Sequence, residues 1–218
     1  KPGKSEKRPL GIPTISDRIV QECVRHVIEP IAEGQFFEHS YGFRPMRSAD
    51  MAIARIKRLN FTAKCYWVVE GDIKGFFDNI DHNVMIESLW QIGIRDKRVL
   101  CIIKQMLKAG IMNECGISEL GTPQGGIISP LLANIYLNRF DNFITGDFER
   151  KQLQKPHTRR DGELQAIRKY SNLKTSYYIR YADDWVILTD SQDAAERLKY
   201  KAKRYLKDTL KLELSDEK

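Results

Sequence analysis

Residues 177–189 read Tyr177-Tyr178-Ile179-Arg180-Tyr181-Ala182-Asp183-Asp184-Trp185-Val186-Ile187-Leu188-Thr189. Two runs of aromatic and β-branched residues flank a short acidic break, which is the pattern of a β-hairpin with carboxylates at its tip. More than a hundred residues earlier, Cys65-Tyr66-Trp67-Val68-Val69 is another strand-forming run, and it leads straight into Glu70-Gly71-Asp72. If these runs are neighbours in one sheet, Asp72, Asp183 and Asp184 converge. Like charges a few ångströms apart repel by roughly a few kcal/mol even at an effective dielectric of about 20. Such a cluster calls for cations, and carboxylate oxygens completed by water and phosphate are the ligands Mg²⁺ prefers. Two ions about 3.5–4 Å apart suit an in-line displacement at phosphorus. An isolated acid pair in a turn is more often simple capping and solvation, so the weight falls on the surrounding segments.

Working outward, Ser16 is a candidate N-cap for a helix with Ile19, Val20, Cys23, Val24, Val27, Ile28 and Ile31 at inward spacing, ending near Pro30. A second helix is expected after Ser48, with Ala52, Ile53, Ile56 and Leu59 inward. Asp81 caps a third, and a fourth covers about 96–109. A short hairpin is expected around 113–116. Gly121-Thr122-Pro123-Gln124-Gly125-Gly126 is a breaker-rich loop before Ser129-Pro130, an N-cap and first-turn proline opening a helix through Phe140. Residues 145–175 show little periodicity and are expected to be an irregular insertion. A last helix spans about 194–210, followed by a short strand at Leu212-Glu213-Leu214. Helices and antiparallel strands in this order predict an α+β fold with helices backing a sheet.

The chain of 218 residues carries a formal charge of +7, and residues 150–180 alone hold nine Lys or Arg against Asp161 and Glu163. A second cluster, Lys1, Lys4, Lys7 and Arg8, surrounds Glu6. Two concentrated basic patches suit a polyanion, whose counterions are released on binding. No run is long and apolar enough to span a bilayer, so a soluble protein with no membrane partner is expected. Cys23, Cys65, Cys101 and Cys115 are scattered without metal-ligand spacing. They read as reduced core thiols, pointing to a cytoplasmic setting.

With these segments in view, Tyr181-Ala182-Asp183-Asp184 resembles the metal-binding motif of reverse transcriptases. Asp72-Ile73-Lys74-Gly75-Phe76-Phe77-Asp78 resembles their first palm motif, and Thr122-Pro123-Gln124-Gly125 the one between. Within that superfamily, Arg8-Pro9-Leu10-Gly11-Ile12-Pro13, Ser40-Tyr41-Gly42-Phe43-Arg44-Pro45 and Leu214-Ser215-Asp216-Glu217-Lys218 are similar to enzymes encoded by group II introns, which also act as splicing maturases. The resemblance implies the fingers and palm of a right-handed polymerase. Residues 1–60 would be fingers, 61–80 palm, 81–115 helices between the two, and 116–218 palm with a basic insertion at about 145–176. The motif series stops at Lys218, so a thumb and a maturase domain are expected to lie outside this chain, and the piece alone to polymerise weakly or not at all.

The resemblance also implies roles. Asp72 and Asp183 would ligate two Mg²⁺ ions with the Ile73 carbonyl assisting, and Asp184 would be a secondary ligand. Phe77 would sit under the sugar of the incoming dNTP and reject a 2′-hydroxyl by collision. Lys1 and Arg8 would hold the triphosphate, Gln124 and Gly125 would pack against nucleotide and template, and Lys218 would protonate departing pyrophosphate. Arg44, Lys151, Lys155, Arg159, Arg160, Arg168 and Lys169 are candidate RNA contacts. Implied partners are intron RNA, an RNA template with a DNA primer, dNTP and a second copy of the chain as homodimer. Competing readings are a maturase without polymerisation, a retron-type reverse transcriptase, and an RNA-dependent RNA polymerase. Phe77 disfavours the last, as does Ala182 where those enzymes usually carry glycine.

Overall fold

The computed structural model describes residues 12–108, 120–122, 125–151, 159–171 and 173–215. Among them the sheet has three antiparallel strands, β1 (Trp67–Gly71), β2 (Tyr177–Tyr181) and β3 (Asp184–Thr189), in the order β1-β3-β2. The helices are α1 (Ile15–Glu33), α2 (Ala49–Ala63), α3 (His82–Gln91), α4 (Lys97–Lys108), α5 (Ser129–Thr145), α6 (Arg160–Tyr170) and α7 (Gln192–Leu210). The α+β class expected from the sequence is what the chain adopts.

Strand alternation sorts the sheet into two faces. Val69, Tyr178, Trp185 and Ile187 point into one core with α3, α4, α5 and α7. Tyr177, Ile179 and Leu188 point the other way, into a smaller core with α2 and α6. Helix α5 is buried nearly all round, from Leu131 through Ile144, the pattern of a helix enclosed on every side. Ser48 and Asp81 are N-caps as expected, accepting from Met51 N and from Asn83 N and Val84 N.

Several local expectations are corrected. Thr14, not Ser16, caps α1 by accepting from Asp17 N, and the helix runs through Pro30 to Glu33. Only a narrow stripe of α1 faces α5, so Ile28 is buried while Ile19, Val20, Val27 and Ile31 are exposed. Cys23 and Cys101 are exposed as well, and only Cys65 is a core thiol among those described. Ile128 rather than Ser129 is the N-cap of α5. The stretch expected to be irregular contains α6, whose Leu164 and Ile167 reach the smaller core. Leu214 makes one isolated bridge with Ile73 instead of a strand. The hairpin expected at 113–116 lies outside the described residues, as does Cys115.

The outer edge of β2 is covered, which blocks stray strand pairing. Arg180 N donates to His39 O and Tyr41 N to Arg180 O. Tyr178 N donates to buried Glu149 at 2.8 Å, and Arg55 approaches the same carboxylate at 3.4 Å. Burial pushes Glu149 up to about 7, with those two partners opposing it. A raised folded-state pKa binds the proton more tightly than the unfolded chain does, so this stability is complete below pH 4.5 and lost as pH rises through about 7. Glu149→Gln, which keeps an acceptor for Tyr178, should remove that dependence. Urea midpoints at pH 5 and pH 8 should show the variant gaining up to about 3 kcal/mol on the parent at the higher pH.

Candidate active site

The register of β1 with β3 pairs Gly71 with Trp185, and that of β2 with β3 pairs Tyr181 with Asp184. The first ladder ends at that pair, and the next residue toward the tip is Asp72 on one chain and Asp184 on the other. Residues facing one another in such a ladder have Cα atoms roughly 4.5–5.5 Å apart and side chains on the same face. Asp72 and Asp184 therefore share a face, the one that also carries Glu70 and Tyr181. Asp183 stands in the two-residue turn beside them. Asp72 and Asp183 are half-buried and Asp184 is exposed.

Backbone direction adds a further oxygen. Lys74 N donates to Glu213 O and Ser215 N donates to Asp72 O, at 2.9 and 2.8 Å. Peptide groups alternate in direction along an extended chain, so the carbonyl of Ile73 points away from this tail. The Ile73 side chain is buried and holds the strand end in place. Among the described residues, no group of three or more His, Cys, Asp or Glu is already arranged to hold a metal ion. The donors gathered here are all hard oxygens, which fits a divalent cation whose shell is completed by water and substrate phosphate.

Two close backbone approaches shape the turn. Ala182 has φ +56°, a left-handed conformation that costs a non-glycine residue about 1–2 kcal/mol. A Cβ on Gly42 would lie 2.2 Å from Ala182 N, so only glycine lets the 40–42 segment press against the turn. Beneath it runs a network that sequence reasoning did not single out. Arg180, fully buried, donates to both carboxylate oxygens of Asp141 at 2.8 and 2.7 Å, to Asn134 Oδ1 at 2.9 Å and to Ala182 O at 2.8 Å. Asn134 donates in turn to Gly42 O at 2.9 Å, and Tyr178 Oη to Asp141 at 2.9 Å. Burial works against the guanidinium charge, yet Asp141 holds the Arg180 pKa above its ordinary value. Asp141, polar within the apolar helix around Phe140 and Ile144, was the available signal.

Phe76 and Phe77 separate cleanly. Phe76 is a core residue, whereas Phe77 is half-buried, its ring 5.2 Å edge-on from that of Phe76. Thr122 N donates to Phe77 O at 2.8 Å and Gly121 N to Ile80 O at 2.8 Å, seating Gly121 and Thr122 against the turn at Phe76–Asp78. Gly125 is exposed with φ +108°. Lys1, Arg8, Gln124, Lys155 and Lys218 lie outside the described residues. Arg44 is a correction: it is buried, paired with Glu33 at 2.8 Å and bonded to Phe37 O and Ser40 O, so its guanidinium braces the fold. Arg160 is held by Glu163 and Glu149 O, and Arg168 by Ala63 O and Asp190. Lys151, Arg159 and Lys169 are exposed.

A protein-family profile described as reverse transcriptase (RNA-dependent DNA polymerase) matches residues 1–218. The group II intron-encoded protein LtrA of Lactococcus lactis subsp. cremoris is 38% identical over 257 residues, covering 100% of this chain and 42% of that protein. Protein YkfC of Escherichia coli (strain K12) is 36% identical over 225 residues, covering 97% of this chain and 58% of that protein. The chain thus spans about half the length of these relatives. Apo telomerase from Candida tropicalis shares the fold with a TM-score of 0.61 at 14% identity, over 91% of this chain and 36% of that one.

Arg180→Met should destabilise the full-length protein by roughly 3–5 kcal/mol, because it strands the Asp141 carboxylate in the core. Chemical denaturation measures this. The double variant Arg180→Met/Asp141→Leu should recover most of the loss, since no unpaired charge remains buried.

Proposed function

We propose, from the premise that this chain belongs to the reverse transcriptase family, that it carries the catalytic acids of an RNA-directed DNA polymerase encoded by a mobile group II intron. The observation that carries the reading is the strand register that sets Asp72 beside Asp184, with Asp183 in the adjoining turn. The donor set of Asp72, Asp183, Asp184 and the Ile73 carbonyl suits two Mg²⁺ ions. Magnesium held there would supply Lewis-acid activation of a primer 3′-hydroxyl and neutralise charge on departing pyrophosphate.

The chain's own residues provide binding and selection. Phe77, half-exposed where the loop at Gly121–Thr122 meets the palm, is the gate against a 2′-hydroxyl. Gln124 and Gly125 form the nucleotide-facing loop, Gly125 with the positive φ that close backbone approach needs. Lys1 and Arg8 grip the triphosphate, and Lys218 delivers the proton to pyrophosphate. Template and intron RNA are held largely through phosphate contacts from Lys151, Arg159 and Lys169, and the protein also assists splicing of its intron. Among the described residues no helix is long and apolar enough to cross a membrane, and the work belongs in the bacterial cytosol.

Asp183→Asn in the full-length protein should cut primer extension with dNTP on an RNA template by roughly a thousandfold, the equivalent of about 4 kcal/mol of transition-state stabilisation. Retention of full activity would sink the polymerase reading, and retention of splicing by the same variant would assign the two jobs separately. Phe77→Ala should raise rNTP incorporation relative to dNTP by tenfold or more, on the order of 1–3 kcal/mol. Single-nucleotide incorporation with each substrate reads this out.

A further inference from the structure

Away from the acids, a cleft of about 290 Å³ opens between α2 and α6 at the Tyr177 end of β2. Tyr181 lies four steps along the strand from Tyr177, a distance of roughly 13 Å at about 3.3 Å per residue. The cleft is thus a place apart from nucleotide addition. Its volume lies at the lower end of small-molecule sites, roughly 300–1,000 Å³, which excludes a double helix.

Arg55, Arg58 and Arg168 line it, and of these Arg168 is already engaged by Asp190 at 3.3 Å and by Ala63 O at 3.0 Å. Asp161 also lines it, yet meets Arg58 only at 3.8 Å between two well-exposed side chains, a pair worth little. Arg55 Nε is shielded from solvent without a hydrogen-bond partner. Its carboxylate neighbour Glu149 is only 3.4 Å away, but burial raises that acid to about 7, so at neutral pH it offsets the charge incompletely. Nearby His39 is pushed down to about 3, first by burial, with Arg55, Arg47 and Arg58 acting in the same direction. The remaining wall is apolar, with Leu164 and the Tyr177 ring, over which the Arg55 guanidinium sits 5.9 Å from the centroid. Gln165 adds an amide able to meet a base edge or a 2′-hydroxyl.

Cations for phosphate, a flat apolar wall for a base and one amide form the combination by which single-stranded RNA is held. We infer that this cleft takes one unstacked nucleotide of a bound RNA strand, its phosphate between Arg55 and Arg58 and its base against Tyr177 and Leu164. The inference rests on the RNA-binding half of the proposed function and is independent of polymerisation. A free mononucleotide carries the same chemistry, so the test separates the two sources.

The probe is a fluorescein-labelled 20-nucleotide oligo(U) RNA, bound to the full-length protein without dNTP or primer and followed by anisotropy between 50 and 300 mM KCl. Arg58→Ala and Gln165→Ala alter exposed side chains, and circular dichroism checks that both fold. The double variant should bind about tenfold more weakly at 150 mM KCl, with a log–log salt slope shallower by about 0.7 for each phosphate that is no longer neutralised. Millimolar UMP should not displace the RNA. Substituting 4-thiouridine in the RNA should give a photocrosslink to the wild-type peptide containing Leu164 or Tyr177. Unchanged affinity and slope, crosslinks confined to other regions, or UMP binding that the double variant abolishes while RNA binding persists would each overturn the assignment. Because no nucleotide is added in this assay, its failure leaves the Asp183→Asn test untouched.

Discussion

A single buried ion pair, Arg180 with Asp141, organises the ground on which the catalytic acids stand. Both side chains are wholly excluded from solvent. A buried pair of this kind is not in itself a strong source of stability, because desolvation consumes much of the attraction. Its value here is positional. The guanidinium spans α5, β2 and the turn carbonyl of Ala182, while Asn134 extends the network to Gly42. Each guanidinium nitrogen has a named acceptor, and a buried polar network partnered in this way rigidifies and specifies the geometry of the turn.

The same close fit appears at the other strand. A Cβ on Gly71 would fall 2.0 Å from the Trp185 ring, so the backbone of β1 lies directly against the indole. The Trp185 ring is itself packed edge-on to Phe140, 5.2 Å away. The central helix, the hairpin and the strand leading to Asp72 therefore meet as one rigid body. Side chains that must hold charge in a defined geometry are best placed on such elements, because reorganisation at the moment of reaction is then small. The face of the sheet that packs on α5 supplies the rigidity, and the acids stand at the end of the opposite face, beyond its smaller core.

Much of this was legible in the residues. The hairpin announced itself through aromatic and β-branched runs on either side of Ala182-Asp183, and Ser48 and Asp81 are caps whose chemistry leaves little choice. Other features turn on tertiary context that no local pattern contains. Periodicity assigns α1 a broad inward face, but how much of it finds a neighbour depends on where α5 lies, and only a stripe does. Helix α6 reads as irregular because its inward residues are few and its surface is crowded with charge, and it becomes a helix by anchoring Leu164 and Ile167. Arg180 counts toward the basic total of residues 150–180, yet strand parity puts it on the inner face with Trp185. Arg44 likewise looks like a surface cation until its carbonyl and carboxylate partners are seen. The acids were readable by motif, but their shared face follows only from register.

That register also makes the hairpin intolerant of changes in length. Side chains alternate across a sheet with a period of two, so inserting or deleting one residue between Tyr181 and Trp185 would either invert β3 or force a bulge. Inversion would send Asp184 toward the core and Trp185 into water. Sequence drift at the tip can thus exchange one side chain for another, but the count of residues there is an arithmetic invariant of the fold.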